Sequence, residues 1–371
     1  MKKDVMDLAK GVKPSKIPSK ETLNHYGLLK LASGINPYEN TQEAYIKSYE
    51  NLGIDFINRV PEKNFQSMLR PGESLVENED YKRAYIGFYD TFCRYRYPYD
   101  SVEEFLSAKK FKLDYDKLIT PVPHRLDKET IARKSRLAGD VGLYYYMYYT
   151  TLFMWGVEWL GWEIFMLAAA LEPEYYDEYF LQTAFIESKR AIELLCEVED
   201  NPFVFLHDDL ADASGPVFKL DWYEKYIFPK YKELFSIAKN KGKKIIFTAD
   251  GNMELFFDYL LECGVDGVMF ENPATDFDKI LSKFHDRIII GGIETSILTL
   301  KTPEEIKKHT AEVMQKVKGV KGFVLSTPGG IHGNIPLENL EAYFDMRAEY
   351  GITKENWRPT NVLSSKSGAK S

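Results

Sequence analysis

From residue 140 onward the chain repeats one pattern. A short continuous apolar run is followed by a polar or glycine-rich turn, and then by a helical arrangement of apolar positions. The runs are GLYYYMYYTTLF (142–153), FVFLHDD (203–209), KIIFTADGN (244–252), DGVMFENP (266–273), RIIIGGIET (287–295) and GFVLSTPGG (322–330). Between them, Trp222 to Lys239, Met253 to Cys263 and Pro303 to Val317 read as amphipathic helices. Continuous apolar strands alternating with helices predict a parallel sheet covered on both faces, and regular repetition favours a closed barrel. The expected architecture is therefore a (β/α)8 TIM-type barrel with an N-terminal helical extension capping it.

The chain of 371 residues shows no linker, and one domain is expected. Residues 1–135 read as an N-terminal helical, capping part, with helix signals at Glu21 to Ser33 and Asn40 to Leu52 and a strand at 53–60. Residues 136–355 carry the main βα repeats, and 356–371 form a flexible tail.

Composition narrows the function classes. The net charge of −8 comes with no basic stripe, so no nucleic-acid partner is expected. Three cysteines, Cys93, Cys196 and Cys263, fall at no metal-ligand spacing and fit a reducing cytoplasm. The most apolar stretch, Leu143 to Leu171, carries Glu158 and Glu163 and opens as a Tyr-rich strand, so no membrane association is expected. The first residues show no apolar run of the signal-peptide kind.

Active sites of parallel barrels lie where strands end and βα loops begin. Here the strand ends are followed by His207, Asp208 and Asp209; by Asp250 and Asn252; by Glu271 and Asn272; by Glu294; and by His332 and Asn334. Taken singly, Asp208, Asp209 and Glu294 read more readily as helix N-caps, and Asp250 could also be one. Together they suggest a rim that binds a divalent metal such as Zn or performs general acid–base work, and the residues leave both open. Asp250, His332 and Asp208 are the catalytic candidates. The run at 144–163 offers an aromatic pocket, in which Tyr146, Tyr148 and Trp155 would bind substrate with Asn252 and Asn334; the alternative is core packing. His25 and His124 read as structural or surface residues. The turn STPGGIHGN (326–334) matches neither GxGxxG nor a P-loop.

Residues 140–351 resemble the uroporphyrinogen decarboxylase superfamily. The likeness rests on HDDLADASGPVF with WYEKYIFPKYKEL (207–235), IIFTADGNMELFFDYLLECGVDGVMFENP (245–273), IIIGGIET (288–295) and STPGGIHGNIPLENLEAYFDMRAEYG (326–351). The resemblance implies a (β/α)8 barrel and either decarboxylation or corrinoid-dependent methyl transfer. The decarboxylase binds a porphyrinogen with eight carboxylates through an Arg-rich motif of the RQAGR type. Here Arg59, Arg70, Arg83, Arg94 and Arg96 are scattered instead.

The methyltransferase branches hold Zn through a His-x-Cys pair at the strand ending here in Thr248-Ala249-Asp250, and through a later Cys near Gly330. Those ligands are absent from this chain. Methionine synthase also uses a Glu one βα unit later, and Glu271 stands at the matching place. The resemblance thus implies a Zn site from Glu271 and His332 with His207 or Asp250. With SGINPYEN (33–40), LGIDFINRVP (52–61) and the aromatic run, the whole chain is similar to aryl methyl ether O-demethylase methyltransferases. The implied substrate is a small aromatic methyl ether, and the implied partner is a separate protein carrying the corrinoid. The alternative is a decarboxylase of a small carboxylate. The resemblance leaves a homodimer open.

Overall fold

The computed structural model describes residues 2–62, 64, 74–77, 81–86, 89–94, 97–108, 127–271 and 273–359. Side chains are described for these except at residues 2, 74–77, 81–86 and 89–94. His124, Asn272 and the tail from Thr360 lie outside the described residues.

Eight parallel strands build the barrel: β1 (Ser19–Lys20), β2 (Phe56–Ile57), β3 (Leu143–Tyr144 with Met147–Tyr148), β4 (Phe203–His207), β5 (Lys244–Ala249), β6 (Gly267–Phe270), β7 (Ile288–Gly292) and β8 (Phe323–Ser326). Closure follows from the pairing. β1 lies between β8 and β2, with Lys20 opposite both Ser326 and Phe56. The first piece of β3 pairs with β2 and its second piece with β4. The remaining neighbours follow in order from β4 to β8. Each of the eight barrel strands therefore has a neighbouring strand on both sides. This is the (β/α)8 barrel expected from the apolar rhythm. The N-terminal part does more than cap it, since it supplies β1 and β2. β2 falls within the strand expected at 53–60, whereas β1, two residues long, is too short to produce a strand pattern in the sequence.

Strand alternation sorts the core into two layers. Phe56, Leu143, Tyr145, Met147, Phe203, Phe205, Ile246, Met269, Ile288, Ile290 and Val324 fill the barrel interior. The intervening positions, such as Tyr144, Tyr148, Val204, Leu206, Ile245 and Phe247, join a second cluster with the surrounding helices. Tyr145 stacks on Phe205 at 4.0 Å between ring centroids. Val5 and Leu8 of the first helix, Lys2–Ala9, pack into the interior cluster and stop the N-terminal end of the barrel. The other end is left for the site.

The chain after β3 turns into a helix, Phe153–Leu171. This helix is long and apolar enough to cross a membrane, and half of that span is buried inside the protein. Elsewhere the helix starts follow local chemistry. Thr302 and Glu305 form a reciprocal capping box with Pro303 in the first turn, and Asp276 caps the helix Phe277–Lys283.

Candidate functional site

A cavity of about 430 Å³ opens at the C-terminal ends of the strands. Its lining follows from extending the interior alternation past each strand. β4 runs inward at Phe203 and Phe205, so His207 faces in; β5 runs inward at Ile246 and Thr248, so Asp250 follows. Lys20 on β1 with Thr22 and Asn24 after it, Met147 on β3 with Tyr149 just past it, and Pro328 and Gly330 after β8 complete the wall with Met269, His332 and Asn334.

On one side His207, Asp209 and Asp250 gather ligand atoms within 4.8 Å of one another. His207 Nδ1 lies 3.2 Å from the Tyr149 carbonyl oxygen. A proton on Nδ1 donated there turns Nε2 toward Asp209, 3.2 Å away. The Asp250 backbone N–H donates to Asp209 Oδ1 at 2.7 Å. Asp250 is open to the cavity solvent, yet protein surrounds it on its other sides. Burial and the neighbouring Asp209 charge both raise its carboxyl above the ordinary range. Glu271 is hydrogen-bonded to Asp250, and burial, with the Asp250 and Asp209 charges added, pushes it up to about 7. Gly329 shows how closely the β8 turn passes over this pair, because a Cβ there would come within 2.5 Å of Glu271 Oε1.

This donor set fits a divalent metal. It offers one imidazole nitrogen whose other nitrogen is tied to a carbonyl, the arrangement that orients histidine ligands, and two carboxylates. His207, Asp209 and Asp250 would hold the ion, with Glu271 beside them through Asp250. Asp209, which the sequence leaves open as a helix cap or a rim acid, belongs to this group. His332 lines the same cavity but stands outside the cluster. Its Nδ1 is buried without a partner, and burial lowers its pKa.

Asp208 is a different case from its neighbour. It faces away from the cavity and is fully buried. Its carboxylate accepts from the backbone N–H groups of Leu152, Phe153 and Met154 at 2.7–2.8 Å and from the Tyr231 hydroxyl at 2.5 Å. It therefore caps the helix Phe153–Leu171 from a neighbouring strand, satisfying donors that the helix cannot. Burial pushes it up to about 6 against those four donors. The catalytic role expected for Asp208 gives way to a structural one.

The aromatic pocket is corrected in the same way. The inward set on β3 is Tyr145, Met147 and Tyr149, so Tyr146 and Tyr148 face the helices. The Tyr148 hydroxyl meets Ser188 Oγ at 3.3 Å. Trp155 is fully buried on the helix, stacked with Trp159 at 5.9 Å. These three build core rather than bind substrate. Asn252 caps the next turn by accepting from the Glu254 N–H at 3.1 Å and is not among the cavity residues, whereas Asn334 is. Glu294 takes a bond from Ser296 Oγ at 3.3 Å, away from the cavity.

Lys20 is the residue that sequence reasoning missed. Its side chain is 1% exposed and lies in the cavity wall. The available signal was alternation along Lys20, Thr22 and Asn24, hidden because β1 is so short.

Residues 204–350 match the family model for uroporphyrinogen decarboxylase (URO-D). Curated relatives named uroporphyrinogen decarboxylase include those of Psychromonas ingrahamii, 23% identical over 44% of this chain and 49% of its own length, and Pseudoalteromonas atlantica, 22% over 45% and 50%. That of Rickettsia akari is 26% identical over 42% of this chain and 45% of its own. The chain thus spans about half the length of the curated relatives it matches. Among solved structures, a D-psicose 3-epimerase with D-tagatose from Clostridium cellulolyticum H10 aligns with 67% of this chain and 96% of its own at 11% identity and a TM-score of 0.38. The barrel assignment itself rests on the strand order. The strands β4 to β8, which carry His207, Asp209, Asp250 and Glu271, are the part of this chain that is similar to the uroporphyrinogen decarboxylase model.

Proposed function

We propose that the protein removes the methyl group of a methoxylated aromatic compound and passes it to the Co(I) of a corrinoid carried on a separate protein. The observation that supports this best is the oxygen-and-nitrogen cluster of His207, Asp209 and Asp250 on one wall of a ring-sized cavity. Hard donors of this kind suit chemistry at an ether oxygen, where thiolate donors suit a thiol. A Zn ion held there would act as a Lewis acid toward the ether oxygen. Met147, Met269 and Tyr149 offer the ring apolar and aromatic surface. The O–CH3 bond breaks, the methyl group passes to Co(I), the aryl oxygen keeps the electron pair, and Glu271, hydrogen-bonded to Asp250, would supply that oxygen with a proton. Incubating the protein with a panel of methoxybenzoates and Co(I) cobalamin should produce methylcobalamin. Absence of transfer across the panel overturns this reading.

The second reading is a cofactor-free decarboxylase of a small carboxylate, favoured by the family match over residues 204–350. A porphyrinogen with eight carboxylates fits poorly, because Lys20 is the one Lys or Arg among the described lining residues. Carbon dioxide release without a corrinoid would select the decarboxylase.

A further inference from the structure

The acidic wall has a counterpart across the barrel that neither functional reading uses. Lys20 sits on β1, opposite β5 and Asp250 in an eight-strand ring. Its orientation is locked by its neighbour. Glu21 points out of the barrel into a fully buried ion pair with Arg347 at 3.0 Å, and also accepts from the Tyr343 hydroxyl at 2.7 Å and the Thr327 N–H at 3.1 Å. With Glu21 held outward, alternation fixes Lys20 inward.

The ammonium is poorly compensated there. Its Nζ donates to Thr22 Oγ1 at 3.2 Å, and among the described residues no carboxylate comes within ion-pair distance. Burial lowers its pKa to about 8, so it remains largely charged at neutral pH. A buried ammonium with unused donors is costly unless a ligand completes it. Ser326 lies beside it in register on β8, and its buried Oγ has no partner. One cation and one hydroxyl match a singly charged oxyanion; a phosphate dianion would call for more donors. Asp250 on the far wall, with Asp209 behind it, repels an anion and so orients it.

We propose that Lys20 and Ser326 form an anion socket that takes the carboxylate of an aromatic carboxylate, leaving the opposite end of the ring against His207, Asp209 and Asp250. The choice of an aromatic ring rests on the methyltransferase reading; the socket does not. The substrate class would then be methoxybenzoates rather than neutral methoxyarenes.

Calorimetric titration with benzoate and with its neutral counterpart benzamide tests this without any methyl transfer. The wild-type protein should bind benzoate at least ~10-fold more tightly, a difference of about 1.4 kcal/mol. Lys20→Met should abolish the preference, Lys20→Arg should keep most of it, and Ser326→Ala should reduce it. Circular dichroism checks that each variant is folded, and Lys20→Arg with Ser326→Ala carries the test should Lys20→Met fail to fold. Equal binding of the two ligands by the wild type, no benzoate binding at millimolar concentration, or an undiminished preference in folded Lys20→Met would overturn the proposal. A benzoate preference in a protein that transfers no methyl group leaves the socket standing and removes the methyltransferase reading alone.

Discussion

The two walls of the cavity are built by opposite means. On β4 to β6 the chain delivers acids and an imidazole just past long apolar strands, and three of them converge within 4.8 Å. On β1 a single lysine sits in a two-residue strand, held by the buried Glu21–Arg347 pair behind it. The first wall gathers like charges, which raises Asp250 and Glu271 and leaves a site that a cation would relieve. The second isolates a single cation, the opposite-signed partner for an anion. A bipolar cavity of this kind orients a ligand as well as binding it. Asp208 and Asp209 repeat the contrast one residue apart: one faces the helices and caps, the other faces the cavity and joins the cluster.

The largest expected effect comes from breaking the acidic wall. Asp250→Ala should remove bound Zn, measured by elemental analysis, and lower methyl transfer by more than ~100-fold, beyond the usual cost of losing an outer partner of a metal ligand. Retention of both Zn and rate would detach the cluster from function. Next is the split between the neighbouring acids. Asp208→Ala should cost about 3 kcal/mol by denaturant unfolding, because it removes a cap and strands buried donors. Asp209→Ala should leave stability within ~1 kcal/mol while losing Zn. Equal destabilisation by the two would erase the distinction.

A third test reads the charge coupling directly. In metal-free protein, the Glu271 carboxyl followed by carbon NMR should stay protonated until the pH rises through about 7. Asp250→Asn removes one of the charges that raise it, so the transition should move to lower pH. An unmoved midpoint would mean that burial acts alone. The smallest effect belongs to the outward aromatic set. Tyr148→Phe forfeits the contact with Ser188 and should cost about 1 kcal/mol of stability with KM unchanged. A raised KM would return Tyr148 to the cavity.

Much of the rim was legible because β4 to β8 are four to six residues long and mostly apolar. Each therefore announced its own end, and His207, Asp250, Glu271 and His332 could be named from position. What stayed hidden was which way each residue faces. Tyr146 and Tyr148 were assigned to the pocket although β3 carries tyrosines in both registers, at 144, 146 and 148 and at 145 and 149. A strand aromatic on both faces gives no hydrophobic contrast from which to choose.

The sequence by itself determined the barrel class, the order of the later strands and the acids and histidines at their ends, since these follow from local periodicity. Only the tertiary structure decided that β1 and β2 complete the barrel, that Asp208 caps while Asp209 converges, and that Lys20 is buried opposite Asp250. Each of those depends on a neighbour far away in the chain: Ser326 beside Lys20, Leu152 to Met154 above Asp208, and Arg347 behind Glu21. Local pattern sets which residues are available at a strand's end, and ring closure sets which of them meet.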